Sequence, residues 1–106
     1  MKPPTKKLEA RDWAKGALRN GDFIPSVHFR ERLRERGVNM LDVHAVFIRC
    51  KAVEPYPAGA CSNGGTTWRV IGPDADGDRF IAIGIEAYVK GGTKWVTLCT
   101  VFEVEK

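Results

Sequence analysis

The chain has 106 residues, 43 % of them hydrophobic, and carries 17 Lys and Arg against 13 Asp and Glu for a net charge of +4. That length and apolar content suit one domain, residues 1–106, with a core that needs no staples. No window approaches the ~18 apolar residues of a membrane span, and the charged start Met1–Lys7 is not followed by an apolar stretch, so neither a span nor a signal peptide is expected.

The charge is unevenly spread. Met1 to Arg36 holds ten basic and five acidic residues, whereas the rest of the chain holds seven and eight. An anionic partner is therefore to be sought at the N-terminal third. Cys50, Cys61 and Cys99 are odd in number and form no C-x-x-C pair, which supports neither a disulfide framework nor a zinc site. Inert thiols at Cys50 and Cys99, a reducing cytoplasmic setting and no bound metal or cofactor are the expectation.

After Pro3-Pro4, residues Ala10, Trp13, Ala14, Ala17 and Leu18 fall on one side of a helical wheel. Asn20-Gly21 closes this first helix. Phe23-Ile24-Pro25 is a short extended link, since the residue before proline avoids the helical region. Ser26 caps a second, arginine-rich helix, and Gly37 ends it with Val38 folding back. Asn39 and Asp42 form a capping box for a third helix, whose stripe is Val43, Val46, Phe47 and Cys50. The period then changes from 3.6 to 2. Strands are expected over Ala52–Tyr56, Thr66–Ile71, Phe80–Val89 and Lys94–Val104, separated by the loop Ala58–Gly65, the turn Gly72–Asp78 and Gly91-Gly92. Helices followed by a meander predict an α+β fold, with N-terminal helices on one face of a four-stranded antiparallel sheet.

The arginine helix carries the strongest chemical signal. His28, Arg32 and Arg36 stand at i, i+4 and i+8, almost one row. The wheel sets Arg36 near the centre of the apolar face defined by Phe29 and Leu33, and Arg32 at its edge. A guanidinium aimed at a core must be paired or reach a cavity, and Glu54 or Glu86 is the expected partner in a purely structural reading. Arg30 and Arg34 lie on the opposite side as solvent charges, with Arg30 a candidate for substrate contact.

A histidine titrating near pH ~6.5 serves as acid or base at neutral pH. Arginine forks match phosphate oxygens. Together they supply what metal-independent RNA cleavage requires: proton transfer at the ribose hydroxyl and the leaving oxygen, and cations for the developing charge.

From the sheet, Arg69 points away from Trp68 and Val70, and Thr97 and Thr100 fall on opposite faces of the last strand. Each adds a phosphate donor in the functional reading and is an ordinary strand residue in the plain one. His44 reads better as a boundary histidine held by a backbone carbonyl than as a catalytic group. Asp74-Ala75-Asp76-Gly77-Asp78 lacks the glycine placement and terminal glutamate of a calcium loop and reads as a hairpin turn.

The run Ser26-x-His28-x-x-x-Arg32-x-x-x-Arg36-Gly37-Val38, then a helix, Arg69-Val70 and a final strand Trp95-Val96-Thr97-Leu98-Cys99-Thr100-Val101-Phe102, resembles the bacterial domain-of-unknown-function family 4258. That family is similar to the RelE and ParE group of toxins, whose fold is related to microbial ribonucleases. The likeness covers 25–102 as a toxin-like core and leaves 1–24 as an N-terminal helical extension. Phe29 stands where the family usually has a small residue, and Phe102 where it commonly has tyrosine.

The resemblance implies an endoribonuclease-type toxin acting on RNA or the ribosome, neutralised by an antitoxin. Its catalytic set would be His28, Arg32 and Arg36, with Arg69, Thr97, Thr100 and Arg30 binding substrate. Two alternatives stand beside it: a non-catalytic module binding nucleic acid or protein through the basic helix, and a motif that is only a structural signature.

Overall fold

The computed structural model describes residues 1–57 and 63–104. Among these residues three helices, α1 (Lys7–Asn20), α2 (Val27–Arg36) and α3 (Met40–Ile48), accompany five strands: β1 (Phe23–Pro25), β2 (Ala52–Pro55), β3 (Thr66–Pro73), β4 (Phe80–Lys90) and β5 (Thr93–Val104). The sheet order is β1-β5-β4-β3-β2.

The α+β class is as expected, but the sheet has five strands and is mixed. Phe23–Pro25 runs parallel to Val96–Leu98 on the outer side of β5, while the other neighbours are antiparallel. Three residues before a proline carry no local sign of their partner, so that link reads as a connector until the sheet beside it is known.

The helix ends follow their local chemistry. Ser26 Oγ accepts from the Phe29 N–H at 3.0 Å. Asn39 and Asp42 exchange side-chain to backbone bonds of 3.0 and 3.1 Å, each satisfying a donor that the first turn leaves unpaired. Gly21 and Gly37 close α1 and α2 in the left-handed conformation.

The helices cover one face of the sheet. Phe29, Val43, Val46 and Phe47 join Trp68, Val70, Ile83, Ile85, Val96 and Leu98 in a single core, to which α1 adds Ala10, Trp13, Ala14, Ala17 and Leu18. Trp13 Nε1 also donates to the Trp95 carbonyl at 3.0 Å, so α1 is built into the same core as the segment after residue 25. At Gly72 a Cβ would lie 2.8 Å from the Val46 carbonyl oxygen and 3.1 Å from Cys50 Cα. α3 therefore rests directly on the backbone of β3.

A buried polar anchor holds the turn 74–79 against the helix ends. Asp74 is 3 % exposed; its carboxylate accepts from the Asp78 N–H at 2.9 Å and from Arg79 Nε at 3.2 Å. Arg79 in turn donates to the carbonyls of Arg36 and Gly37, at 3.0 and 3.1 Å, capping the open end of α2. Arg49 donates to the carbonyls of Asp74 and Ala75, and Asp42 accepts from the Ala75 N–H. Burial alone would raise the Asp74 pKa, but the Arg79 side chain and the converging backbone N–H groups outweigh it and hold the carboxyl below its ordinary value. The aspartate-rich segment is thus a turn whose first carboxylate is filled by donors.

Cys99 is disulfide-bonded, which corrects the expectation of an inert thiol there. Cys50 is free, and Cys61, like most of the expected loop Ala58–Gly65, lies outside the described residues. No helix among the described residues is long and apolar enough to cross a membrane.

Candidate functional site

The helix row and the sheet residues are on opposite sides of the molecule. Phe29 carries α2 into the helix-side core. Gly72 faces α3, so Val70 and Trp68 share its side and Arg69, by strand alternation, points the other way. His28, Arg32 and Arg36 therefore do not meet Arg69 in one cleft.

Along the row, His28 is half-buried in the first turn of α2 and its ring makes no hydrogen bond among the described residues. Arg32 pairs with Glu35 at 2.8 Å, both side chains well exposed at 39 % and 58 %, a contact worth at most about 1 kcal/mol. Arg36 is exposed, against the wheel's placement of it at the centre of the apolar face. The chain turns back just beyond the helix, at Gly37. The Val38 N–H returns to the Leu33 carbonyl at 3.0 Å, and buried Val38 supplies the core contact at this end of α2 while Arg36 stays in solvent.

Neither expected carboxylate is left for Arg36. Glu54 pairs with Arg69. Glu86, 2 % exposed, accepts from the Asn63 N–H, Asn63 Nδ2 and the Gly65 N–H within 3.0 Å. Arg30 and Arg34 are solvent-exposed and make no ion pair among the described residues, as expected of them. His44 is half-buried, with its ring edge-on to Phe23 at 6.1 Å. An aromatic neighbour takes the place expected for a carbonyl.

Across the sheet, the register lines up Glu54, Arg69, Gly84 and Thr100 on four adjacent strands. Thr97 joins the same face. Strict alternation would separate Thr97 from Thr100, but the β4–β5 register shifts between Gly84 and Ile85, so that Cys99 is an extra residue in β5. A bulge of this kind resets the alternation, and both threonines look outward with Arg69. Their states differ. Thr97 Oγ1 donates to Tyr88 Oη at 3.0 Å and accepts from Asn63 Nδ2 at 3.5 Å, whereas Thr100 lies over Gly84, where a Cβ would come within 2.8 Å of its methyl group.

Two aromatic residues complete this face. The Arg69 guanidinium lies 5.5 Å from the Tyr56 ring centroid and 6.0 Å from that of Phe102, and the two rings are 5.9 Å apart. Arg69, Tyr56, Thr100 and Phe102 are all half-exposed. Only one nitrogen of the fork, Nη2, is bonded, to Glu54; Nε is buried without an acceptor. The three centres form a nearly equilateral triangle, so the guanidinium lies beside the ring pair. An arginine placed so is suited to stacking on a planar group and, through Nη1, which bonds nothing among the described residues, to taking an anionic oxygen.

The part played by Tyr56 and Phe102 was hidden at the level of sequence. Period two puts Tyr56 beside Glu54 and Phe102 beside Thr100, but only the pairing of β2 with β3, and of β4 with β5, brings the two pairs to Arg69. Among the described residues no three His, Cys, Asp or Glu side chains gather as a metal ion requires.

No protein-family model matches the chain. No curated protein matches it either. The likeness to family 4258 and the RelE group thus rests on the motif alone.

Proposed function

We propose that this protein binds single-stranded RNA on the sheet face formed by Tyr56, Arg69, Thr100 and Phe102. The observation that carries the reading is the Arg69 guanidinium lying beside a pair of half-exposed rings, with only Nη2 of its fork bonded. Single-stranded nucleic acids are held by stacking unpaired bases on aromatic side chains and guanidinium planes, while cations follow the backbone. Arg69 is neutralised by Glu54, so this face recognises more than it attracts. Attraction falls to the net charge of +4 and to the exposed Arg30, Arg34 and Arg36.

Binding is better supported than cleavage. A cleavage site needs both an acid and a base beside the phosphate; the Tyr56 hydroxyl alone does not make that pair, since Glu54 is engaged by Arg69, Glu86 is buried among N–H donors, and His28 stands on the helix side. The ribosome and a cognate antitoxin are partners that only the resemblance implies. A disulfide-bonded Cys99 gives no support to a reducing cytoplasmic setting.

Fluorescence anisotropy with a labelled single-stranded oligoribonucleotide tests the reading. The expected result is saturable binding, weaker for a duplex of the same sequence, with no shortening of the RNA in the same tubes. Cleavage that disappears in His28→Ala would instead restore the catalytic assignment to the helix row. Equal affinity for single strand and duplex would overturn the stacking platform.

A further inference from the structure

We infer a second binding site, independent of the sheet face: the groove between α1 and α3, which is built to dock an acidic amphipathic helix of a partner protein. The groove encloses about 300 Å³ and is lined by Lys15, Leu18, Arg19, His44, Phe47 and Ile48. Leu18 and Phe47 are buried and form its floor. Ile48 is 70 % exposed, and Leu41, one heptad earlier on α3, is 73 % exposed. Residues seven apart lie within ~20° on a helix, so Leu41 and Ile48 extend one apolar stripe along the groove, with His44 between them.

The rim gives the occupant its charge. Lys15 and Arg19 stand one turn apart on α1, neither makes an ion pair among the described residues, and no carboxylate is among the lining side chains. A helix bearing apolar anchors at i, i+3 or i+4 and i+7, flanked by glutamates, satisfies the floor, the stripe and the cations together. A second copy of this chain, itself of net charge +4, brings like charge to that rim. A membrane surface is a poorer match, because the apolar floor is recessed between two helices instead of protruding. The volume is at the low end for a ligand pocket and accepts one or two anchor side chains, not a large cofactor.

The test uses the full chain and a fluorescein-labelled designed peptide of about 16 residues, rich in glutamate, with leucines at helical spacing. Its controls are the same composition in scrambled order, the same pattern with lysine replacing glutamate, and vesicles of phosphatidylserine and phosphatidylcholine. The patterned acidic peptide should bind, both control peptides at least about tenfold more weakly, and the vesicles should not compete.

Lys15→Glu with Arg19→Glu, and separately Ile48→Asp, should each weaken binding by about tenfold or more. All three side chains reach the surface, so circular dichroism should report an unchanged fold, and RNA binding should be unchanged by Ile48→Asp. Absence of peptide binding, equal binding of the scrambled peptide, indifference to both variants, or recruitment by vesicles in place of the peptide would each overturn the proposal.

Discussion

Helix α2 and the outward face of the sheet both present arginine to solvent, and they do so in opposite ways. On α2 the cations are numerous and shallow: Arg30, Arg34 and Arg36 are exposed, and Arg32 is tied only to a neighbour on its own helix. On the sheet there is one guanidinium. It is seated beside the Tyr56–Phe102 ring pair, paired to Glu54 and partly buried. Charge without a seat gives long-range attraction that salt removes. A seat without net charge gives geometry, and geometry is what discriminates between ligands. The difference teaches that the most basic stretch of a chain need not be where its ligand is read.

The comparison can be broken most forcefully at Arg79, whose loss should free the end of α2 and leave the sheet face alone. Arg79→Ala removes the donors to the Arg36 and Gly37 carbonyls and strips buried Asp74 of its cation. Charged hydrogen bonds of this kind point to a loss of about 2–3 kcal/mol, read as a lower denaturant midpoint with the slope unchanged.

Asp74 makes the same anchor sensitive to acid. Its folded pKa lies below the unfolded value of ~3.9, so its contribution is fully present above that value and is lost as pH falls through the folded one. Unfolding midpoints measured from pH 6 downward should fall more steeply for the wild type than for Asp74→Asn at pH below ~4.

Smaller and more selective effects sharpen the contrast. Tyr56→Ala and Arg69→Ala should each weaken single-stranded RNA binding by about 1–3 kcal/mol, tenfold or more near the middle of that range, and the Tyr56 effect should persist at high salt. Arg34→Ala should cost only a few-fold at low salt and almost nothing at high salt, as expected of a long-range attraction that salt screens. Arg32→Ala should leave stability within about 0.5 kcal/mol of the wild type. Thermal melts and salt titrations of these variants side by side would show whether seat and charge separate.

What could be read from the chain alone was local chemistry. Ser26, Asn39 with Asp42, Gly21 and Gly37 all act at the helix ends where their side chains or conformations direct them, because a cap is decided within a few residues. What escaped depended on distant backbone. The parallel pairing of Phe23–Pro25 requires β5 to be already in place. The common face of Thr97 and Thr100 requires the bulge at Cys99, which shows only in the pairing of β5 with β4. The bulge breaks a simple period by one residue, and one residue is enough to turn a side chain from one face of the sheet to the other. The candidate site suffered most, since Arg69 gains its meaning only from Tyr56 and Phe102, delivered by two other strands.

The most direct test of the central claim is a chemical-shift map of the ¹⁵N-labelled protein titrated with a short single-stranded oligoribonucleotide near physiological salt. Recognition on the sheet face predicts the largest changes at Tyr56, Arg69, Thr100 and Phe102, with small, salt-sensitive changes along Arg30–Arg36. Changes concentrated on His28, Arg32 and Arg36, with the sheet face silent, would contradict it.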